Sequence, residues 1–360
     1  MALLLVESFD WLDIGLSGPQ LDTHLGNRKG RGDNFNFTAA DDATTVAGVG
    51  GNGAALSFAE TSHVIRLPLP KTTTSTAEVG MGFWFRGLST IGWGTPVSWF
   101  GLVDSLGDRF HINARMDSSG TISVYLGTTF IETITDFIFE TNQWYWVEYK
   151  TVINDSTGSY EFRVDGSTIW TVAGVDTRNA GNGDFSAIQI HGLLGGANRT
   201  QYAGCIAWDN DGGDLTNYPG QTTFKSLHPD ADGDDEAWTT SSGIDSFALV
   251  NETAPHDDDS DYIQDTVSTN RTLFTYDDLS TNYTAVHGIQ INSVVRETDA
   301  SDFTLINALK SGGINYPEAA QAIAGQTFES LFNVRDTDPD TAVAWTIANL
   351  NALQAGVEVG

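Results

Sequence analysis

Residues 142–170, NQWYWVEYKTVINDSTGSYEFRVDGSTIW, constrain the fold more than any other part of the chain. Trp144, Trp146 and Glu148 alternate with Tyr145, Val147 and Tyr149, a period of two that defines a strand with large apolar groups on both faces. Neither face is expected to be bare. Asn154-Asp155-Ser156-Thr157-Gly158 gathers side chains that bond their own backbone and a glycine free to take positive φ, so the chain reverses there. The returning arm sets Tyr160, Phe162 and Val164 against Glu161, Arg163 and Asp165, and Asp165-Gly166 offers a second tight turn. Such a hairpin needs a sheet around it and a second layer over its aromatic face.

Short strand-like segments separated by turn residues recur on both sides of it. The apolar run 2–6 is short, has no basic residue before it and is closed by Glu7, which predicts an opening strand rather than a signal peptide or membrane span. Residues 15–55 are glycine-rich and predict a long surface excursion. Segments 54–58 and 64–67 form an expected strand pair, and 79–86 an aromatic strand in which Gly80 and Gly82 allow close backbone approach. Strands at 99–103, 110–113 and 122–126 lead directly into the hairpin, and 187–191 and 205–208 complete the set. The first domain closes near Tyr218-Pro219-Gly220, giving domains 1–220 and 221–360, since 360 residues exceed what a single core comfortably serves.

The second domain is predicted as a smaller β-sandwich with strands at 223–227, 247–250, 272–276, 285–295, 303–309 and 328–333, and with acidic loops at 230–236 and 257–261. One short helix is expected near the end. Thr346 caps it, Ile347, Leu350 and Leu353 form its apolar stripe, and Gly356 ends it in the left-handed conformation before Val357-Glu358-Val359 returns as a strand. The fold class is therefore all-β.

The pattern of Trp144, Val147, Glu148, a polar turn, Tyr160, Phe162, Val164 and Asp165-Gly166 resembles the middle strands of laminin-G-like and concanavalin-A-like jelly-roll sandwiches. With Met1-Ala2-Leu3-Leu4 running into Ser8-Phe9-Asp10, Gly82-Phe83-Trp84-Phe85-Arg86, and Asp338-Pro339 through Trp345-Thr346 to Gly356-Val357-Glu358, the chain is similar to tailed-bacteriophage virion proteins carrying such a domain at the N-terminus. The resemblance implies a non-enzymatic structural or adhesion component of the virion, made in the host cytoplasm. Tail fibre or receptor-binding placement comes first and capsid decoration second. Its partners would be other virion proteins, a second copy of itself in a homo-oligomer, and a host surface glycan. Two readings of another class stand beside it: a glycan depolymerase and a carbohydrate-binding lectin.

Charge and motifs narrow the chemistry. A net charge of −30 repels phosphate backbones and anionic lipid, so neither nucleic acid nor membrane is an expected partner. The single cysteine, Cys205, excludes an intrachain disulfide and a thiolate zinc site. Glu-x-Asp-x-Glu and Glu-x-Asp-x-x-Glu, which place a retaining glycosidase's acid and nucleophile on one strand face, are absent; Glu297-Thr298-Asp299-Ala300-Ser301-Asp302 comes nearest. No Gly-x-Ser-x-Gly, His-Glu-x-x-His or phosphate-loop motif occurs. No catalytic residue, metal ligand or cofactor is therefore expected. His24, His63, His111, His191, His228, His256 and His287 are scattered and default to structural roles. The carboxylates of 230–236 suit a hard cation by composition, but the glycine is misplaced for an EF-hand, and a solvated loop is the default. Strand-internal tryptophans are expected in the core, with Trp93 the best candidate for an exposed sugar-stacking ring. Arg31-Gly32-Asp33 and the Asn-x-Ser/Thr triplets at Asn36 and Asn198 are expected to be ordinary loop sequence.

Overall fold

The computed structural model describes residues 2–9, 28–30, 33–34, 36–38, 44–51, 53–58, 64–69, 78–88, 97–104, 110–117, 119–179, 185–193, 200–209, 217–252, 260–298, 303–323, 326 and 328–360. These divide between two compact units, Met1–Lys225 and Ser226–Gly360. In the first, strands in chain order are β1 (Ala2–Glu7), β2 (Arg28–Gly30), β3 (Asp33–Asn34), β4 (Asn36–Thr38), β5 (Thr44–Ala47), β6 (Ala54–Phe58), β7 (Val64–Pro68), β8 (Glu78–Gly87), β9 (Val97–Val103), β10 (Phe110–Met116), β11 (Thr121–Leu126), β12 (Thr129–Ile138), β13 (Tyr145–Val152), β14 (Gly158–Val164), β15 (Ser167–Val175), β16 (Ala187–His191) and β17 (Thr200–Asp209). One sheet runs β15-β14-β13-β8-β17-β6-β5, with β1 also paired to β17; the other runs β12-β11-β10-β9-β16-β7-β4. This is an antiparallel, concanavalin-like sandwich.

Aromatic side chains join the two layers. Phe100 of the second sheet stacks on Tyr149 at 5.0 Å and on Phe162 at 5.6 Å, and Trp99 meets Phe85 edge-on at 4.7 Å. Trp99 and Phe100 are consecutive, yet both enter the core, because the register with β10 shifts there: Ala114 faces Phe100 while Arg115 faces Ser98. The hairpin forms as β13 and β14, with Val147 opposite Val164 and Val152 opposite Ser159, and reverses through 153–157; Asp165 and Gly166, at φ 49° and 80°, make the next tight turn, into β15. Gly158 departs from expectation, since it is not at positive φ. It must be glycine because a Cβ there would lie 2.1 Å from Thr177 Oγ1, which donates to Val152 O. The sequence pattern also missed β12 between the meander and the hairpin; its pattern of exposed residues belongs to an edge strand and lacks a buried alternation.

The outer face of the first sheet is covered by the chain's own segment 218–224. Trp84 Nε1 donates to Thr222 O at 2.7 Å, Gly220 N donates to Glu148 Oε1 at 2.9 Å, and Tyr218 lies edge-on to Trp208 at 6.0 Å. Gly80 and Gly82 are what allow this. A Cβ at Gly80 would meet the Trp208 indole at 2.3 Å, and one at Gly82 the Trp146 indole at 2.5 Å, so both rings lie directly against β8.

The second unit contains β18 (Pro229–Glu236), β19 (Thr239–Thr240), β20 (Ile263–Gln264), β21 (Arg271–Tyr276), β22 (Ile289–Val295), β23 (Phe303–Ser311), β24 (Ile314–Asn315), β25 (Gln321–Ile323), β26 (Glu329–Arg335), β27 (Thr337–Asp338), β28 (Val343–Ala344) and β29 (Gln354–Val359). Its main sheet runs β18-β21-β29-β23-β24, and β22 pairs with β26. Ile291, Leu309, Trp345, Leu350, Leu353 and Ala355 form one buried cluster. Thr346 Oγ1 caps the helix Ile347–Asn351 by accepting from Asn349 N at 3.0 Å. Gly356 does not end that helix. It lies within β29, where a Cβ would be 2.0 Å from Thr272 O. The expected strand at 247–250 is instead a 3-10 turn, Ser246–Leu249, whose Phe247 N donates to Asp232 Oδ1 at 2.8 Å.

Candidate functional site

Strand parity decides which side chains leave the core. In β16, Ile188 and Ile190 are buried between the sheets, so Gln189 and His191 point outward; in β7, Ile65 and Leu67 are buried and Arg66 points outward. In β10 and β11, Ile112, Ala114, Ile122 and Val124 face inward, leaving Asn113, Arg115 and Tyr125 on the outside. Register then aligns them. Arg66 and Gly101 both face Gln189, Gly101 faces Asn113, Asn113 faces Tyr125, and Tyr125 faces Phe130. The result is one row across six strands, roughly 24 Å long at ~4.8 Å per strand. His191 and Arg115, each two residues beyond a member of the row, flank it on the same side.

Gly101 is central to this face because the Phe110 ring lies over it: a Cβ there would be 2.9 Å from Phe110 Cδ1 and 2.8 Å from Asn113 Cβ. The same ring reaches His191, with centroids 5.6 Å apart. Asn113 is buried, and its Nδ2 donates to Gly127 O at 3.1 Å and to Tyr125 O at 3.3 Å, which fixes the turn after β11. The Arg115 guanidinium sits 4.0 Å from the Tyr125 ring centroid, and its Nη2 donates to Gly127 O at 2.8 Å. Arg66 Nη2 donates to Ser186 Oγ at 3.3 Å.

Three properties describe this face. First, burial pulls the His191 pKa down to about 4, so the imidazole is neutral at pH 7; its Nε2 is buried and has no hydrogen-bond partner among the described residues. Second, the Gln189 side chain is half-buried and, among the described residues, makes no hydrogen bond. Third, the contacts of Arg115 are all neutral, as are those of Arg86 on the first sheet, whereas Lys150 pairs with Glu78, Arg178 with Asp155, Arg271 with Glu358 and Asp235, Lys310 with Asp234, and Arg335 with Glu318. Burial lowers the Arg115 pKa, but an arginine keeps its charge in a protein. A chain of net charge −30 thus holds this cation without a carboxylate partner among the described residues.

The other sequence candidates resolve differently. Residues 230–236 form strand β18 rather than a loop, and four of their five carboxylates are occupied: Asp230 accepts from Thr275 Oγ1, Asp232 from Phe247 N, and Asp234 and Asp235 pair with Lys310 and Arg271. Glu297 is buried and accepts from Phe303 N at 2.8 Å, a structural turn. His111 Nδ1 accepts from Asn179 N at 3.2 Å within the fold. Trp99, Trp146 and Trp208 are core. Arg31-Gly32, Trp93, Asn198-Arg199, His24, His63, His256 and residues 257–259 lie outside the described residues. Sequence reasoning missed Arg66, Gln189, Arg115 and Tyr125. The available signal was a polar residue at the outward parity of each strand, and only the pairing register collects them.

No known family's sequence profile matches the chain, and no curated protein does. Solved structures do match its β-sandwich. An alginate lyase, Aly36B, superposes with a TM-score of 0.37 at 15% identity, covering 56% of this chain and 95% of that one. An endo-beta-1,4-glucuronan lyase from Trichoderma reesei gives 0.38 at 12%, covering 50% and 93%, and alginate lyase vAL-1 from Chlorella virus gives 0.36 at 10%, covering 54% and 99%. These matches correct the expectation of a non-enzymatic component of a phage particle: the proteins that share the sandwich are enzymes acting on polysaccharides, and nothing in them points to a virion. What this chain does rests on its own side chains.

Proposed function

We propose that the first unit is a carbohydrate-active sandwich that binds a carboxylated polysaccharide along the row from Arg66 to Phe130 and depolymerises it by elimination. The observation that carries this reading is the pairing of two uncommitted groups, neutral His191 and the Gln189 amide, beside an arginine on the outer sheet face. A uronate ring carries its carboxylate on the carbon next to C4. Donors from Arg66 and Gln189 stabilise the charge that develops on that carboxylate when the C5 proton leaves. His191, unprotonated because its pKa is about 4, accepts that proton on Nδ1, since its Nε2 is buried. The C5–H electron pair becomes the C4–C5 double bond, the C4–O bond breaks, and the departing glycosidic oxygen takes a proton from water. Hydrolysis would call for two facing carboxyl groups, and the row carries none.

The test is incubation of the full chain with alginate, polyglucuronate and a neutral glucan, followed by ultraviolet absorbance of unsaturated uronate ends. Absorbance should rise with a polyuronate alone, and His191→Gln should reduce the rate on the order of a hundredfold or more at unchanged thermal stability near neutral pH. Cleavage of the neutral glucan, or an unaffected His191→Gln variant, would overturn the mechanism. Polyuronate binding with no product from any of them would leave a lectin.

A further inference from the structure

We infer that Phe130, set against Tyr125 at the free edge of the second sheet, is a distal sugar-stacking subsite that makes the protein select polymer over short oligomers; this rests on the polysaccharide reading above. Phe130 is 54% exposed, and among the described residues β12 has no further strand beside it in its sheet, so the row ends at this ring. A lone exposed phenylalanine requires no explanation. This one continues, in register with Tyr125, a row whose half-buried members are Arg66, Gln189 and Tyr125 on the same face. The two rings meet edge-on, with centroids 5.6 Å apart and planes at 74°, and at 54% exposure Phe130 keeps ring surface available for stacking. Tyr125 is held from the other direction by the Arg115 guanidinium, so the pair is both positioned and beside a cation suited to a second carboxylate. Two residues along the same face, the buried Ser123 Oγ lies 3.1 Å from Thr133 Oγ1, and the half-buried Thr133 offers a hydroxyl partner to a sugar ring.

Spacing assigns the distance from the reaction. Gln189 on β16 and Phe130 on β12 are four strand spacings apart, roughly 19 Å. A pyranose ring in an extended chain advances by a length similar to one such spacing. Phe130 therefore meets a sugar roughly four residues away from the one at Gln189, beyond the reach of a disaccharide or trisaccharide.

The experiment compares wild type, Phe130→Ala, Phe130→Trp and, as a control off the row, Ile138→Ala, by KM and kcat on a long polyuronate and on its trisaccharide. Phe130→Ala should raise KM for the polymer about tenfold, the scale of one lost aromatic contact, with kcat and the trisaccharide parameters unchanged. Phe130→Trp should restore the polymer KM, and Ile138→Ala should match wild type. If wild type cleaves polyuronate and Phe130→Ala leaves its KM unaltered, the subsite is overturned and the catalytic reading stands. If Phe130→Ala raises KM equally for trisaccharide and polymer, the ring is not distal. Failure of wild type to bind or cleave any polyuronate removes both.

Discussion

The two outer faces of the sandwich are built from similar residues and treated in opposite ways. On the first sheet, Trp84, Trp146, Trp208 and Glu148 lie beneath the chain's own segment 218–224, with Phe224 6.1 Å from the Trp146 ring and Tyr218 between Lys150 and Arg163. On the second, Arg66, Gln189, His191, Arg115 and Tyr125 are half-buried. Outward parity alone therefore does not identify a binding surface. What separates the second face is that, among the described residues, no hydrogen bond takes up the Gln189 side chain. Glu148 illustrates the first face: fully buried, it accepts from Gly220 N and is a covered core carboxylate although its strand parity is outward.

This contrast predicts opposite responses to substitution. The largest effect is expected at Gln189→Ala, which removes a donor from the reacting carboxylate and should lower kcat/KM by two to three orders of magnitude, about 3–4 kcal/mol. Its unfolding free energy should move by less than about 0.5 kcal/mol, because no hydrogen bond among the described residues is lost. Phe224→Ala should behave in reverse. Removing a ring that is 9% exposed and packs on Trp146 should lower stability by about 3 kcal/mol in chemical denaturation, with kcat/KM at wild-type level in native buffer. A variant on the covered face that abolishes activity without loss of stability would reverse the assignment of the two faces.

Much of the covered face was legible in the sequence, and little of the open one. Alternation in 144–149 and 160–165 identified the central strands, and Gly80 and Gly82 signalled the close approach that two indoles fill. These are local facts about one strand at a time. The row from Arg66 to Phe130 draws on six strands spread from β7 to β16, and its alignment is set by pairing register, which a one-residue slip would undo. Side chains there also lack the dense apolar or acidic patterning that catches attention: Gln189 and His191 are merely the alternate positions of Ala187–His191. Conversely, 230–236 drew notice by composition, but each of four carboxylates there is consumed by a neighbour. The left-handed end assigned to Gly356 failed for a related reason, since nothing local to the helix reveals Thr272 O on a strand far away in the chain.

The smallest effects expected lie in pH dependence, where the two faces should differ in sign. Burial is the leading cause at both groups: it raises the Glu148 pKa above its ordinary 4.5 and lowers that of His191 from 6.5 to about 4. For Glu148 the folded protein holds a proton that the unfolded chain has released, so stability falls as pH rises from about 4.5 through the raised folded value. For His191 the unfolded chain binds a proton that the folded protein refuses, so stability falls as pH drops from 6.5 toward about 4 and is fully present above that window. Partial solvent access limits the His191 contribution to about 1–2 kcal/mol. Denaturation curves across this range should therefore lose their acid-side slope in His191→Gln and their slope above pH 4.5 in Glu148→Gln, whose amide oxygen can still accept from Gly220 N. In wild type the same histidine places the acid limb of kcat/KM near pH 4 instead of near 6.5, because the base on the open face stays unprotonated down to that value. An acid limb near 6.5 would mean that the proton acceptor is a solvated histidine elsewhere.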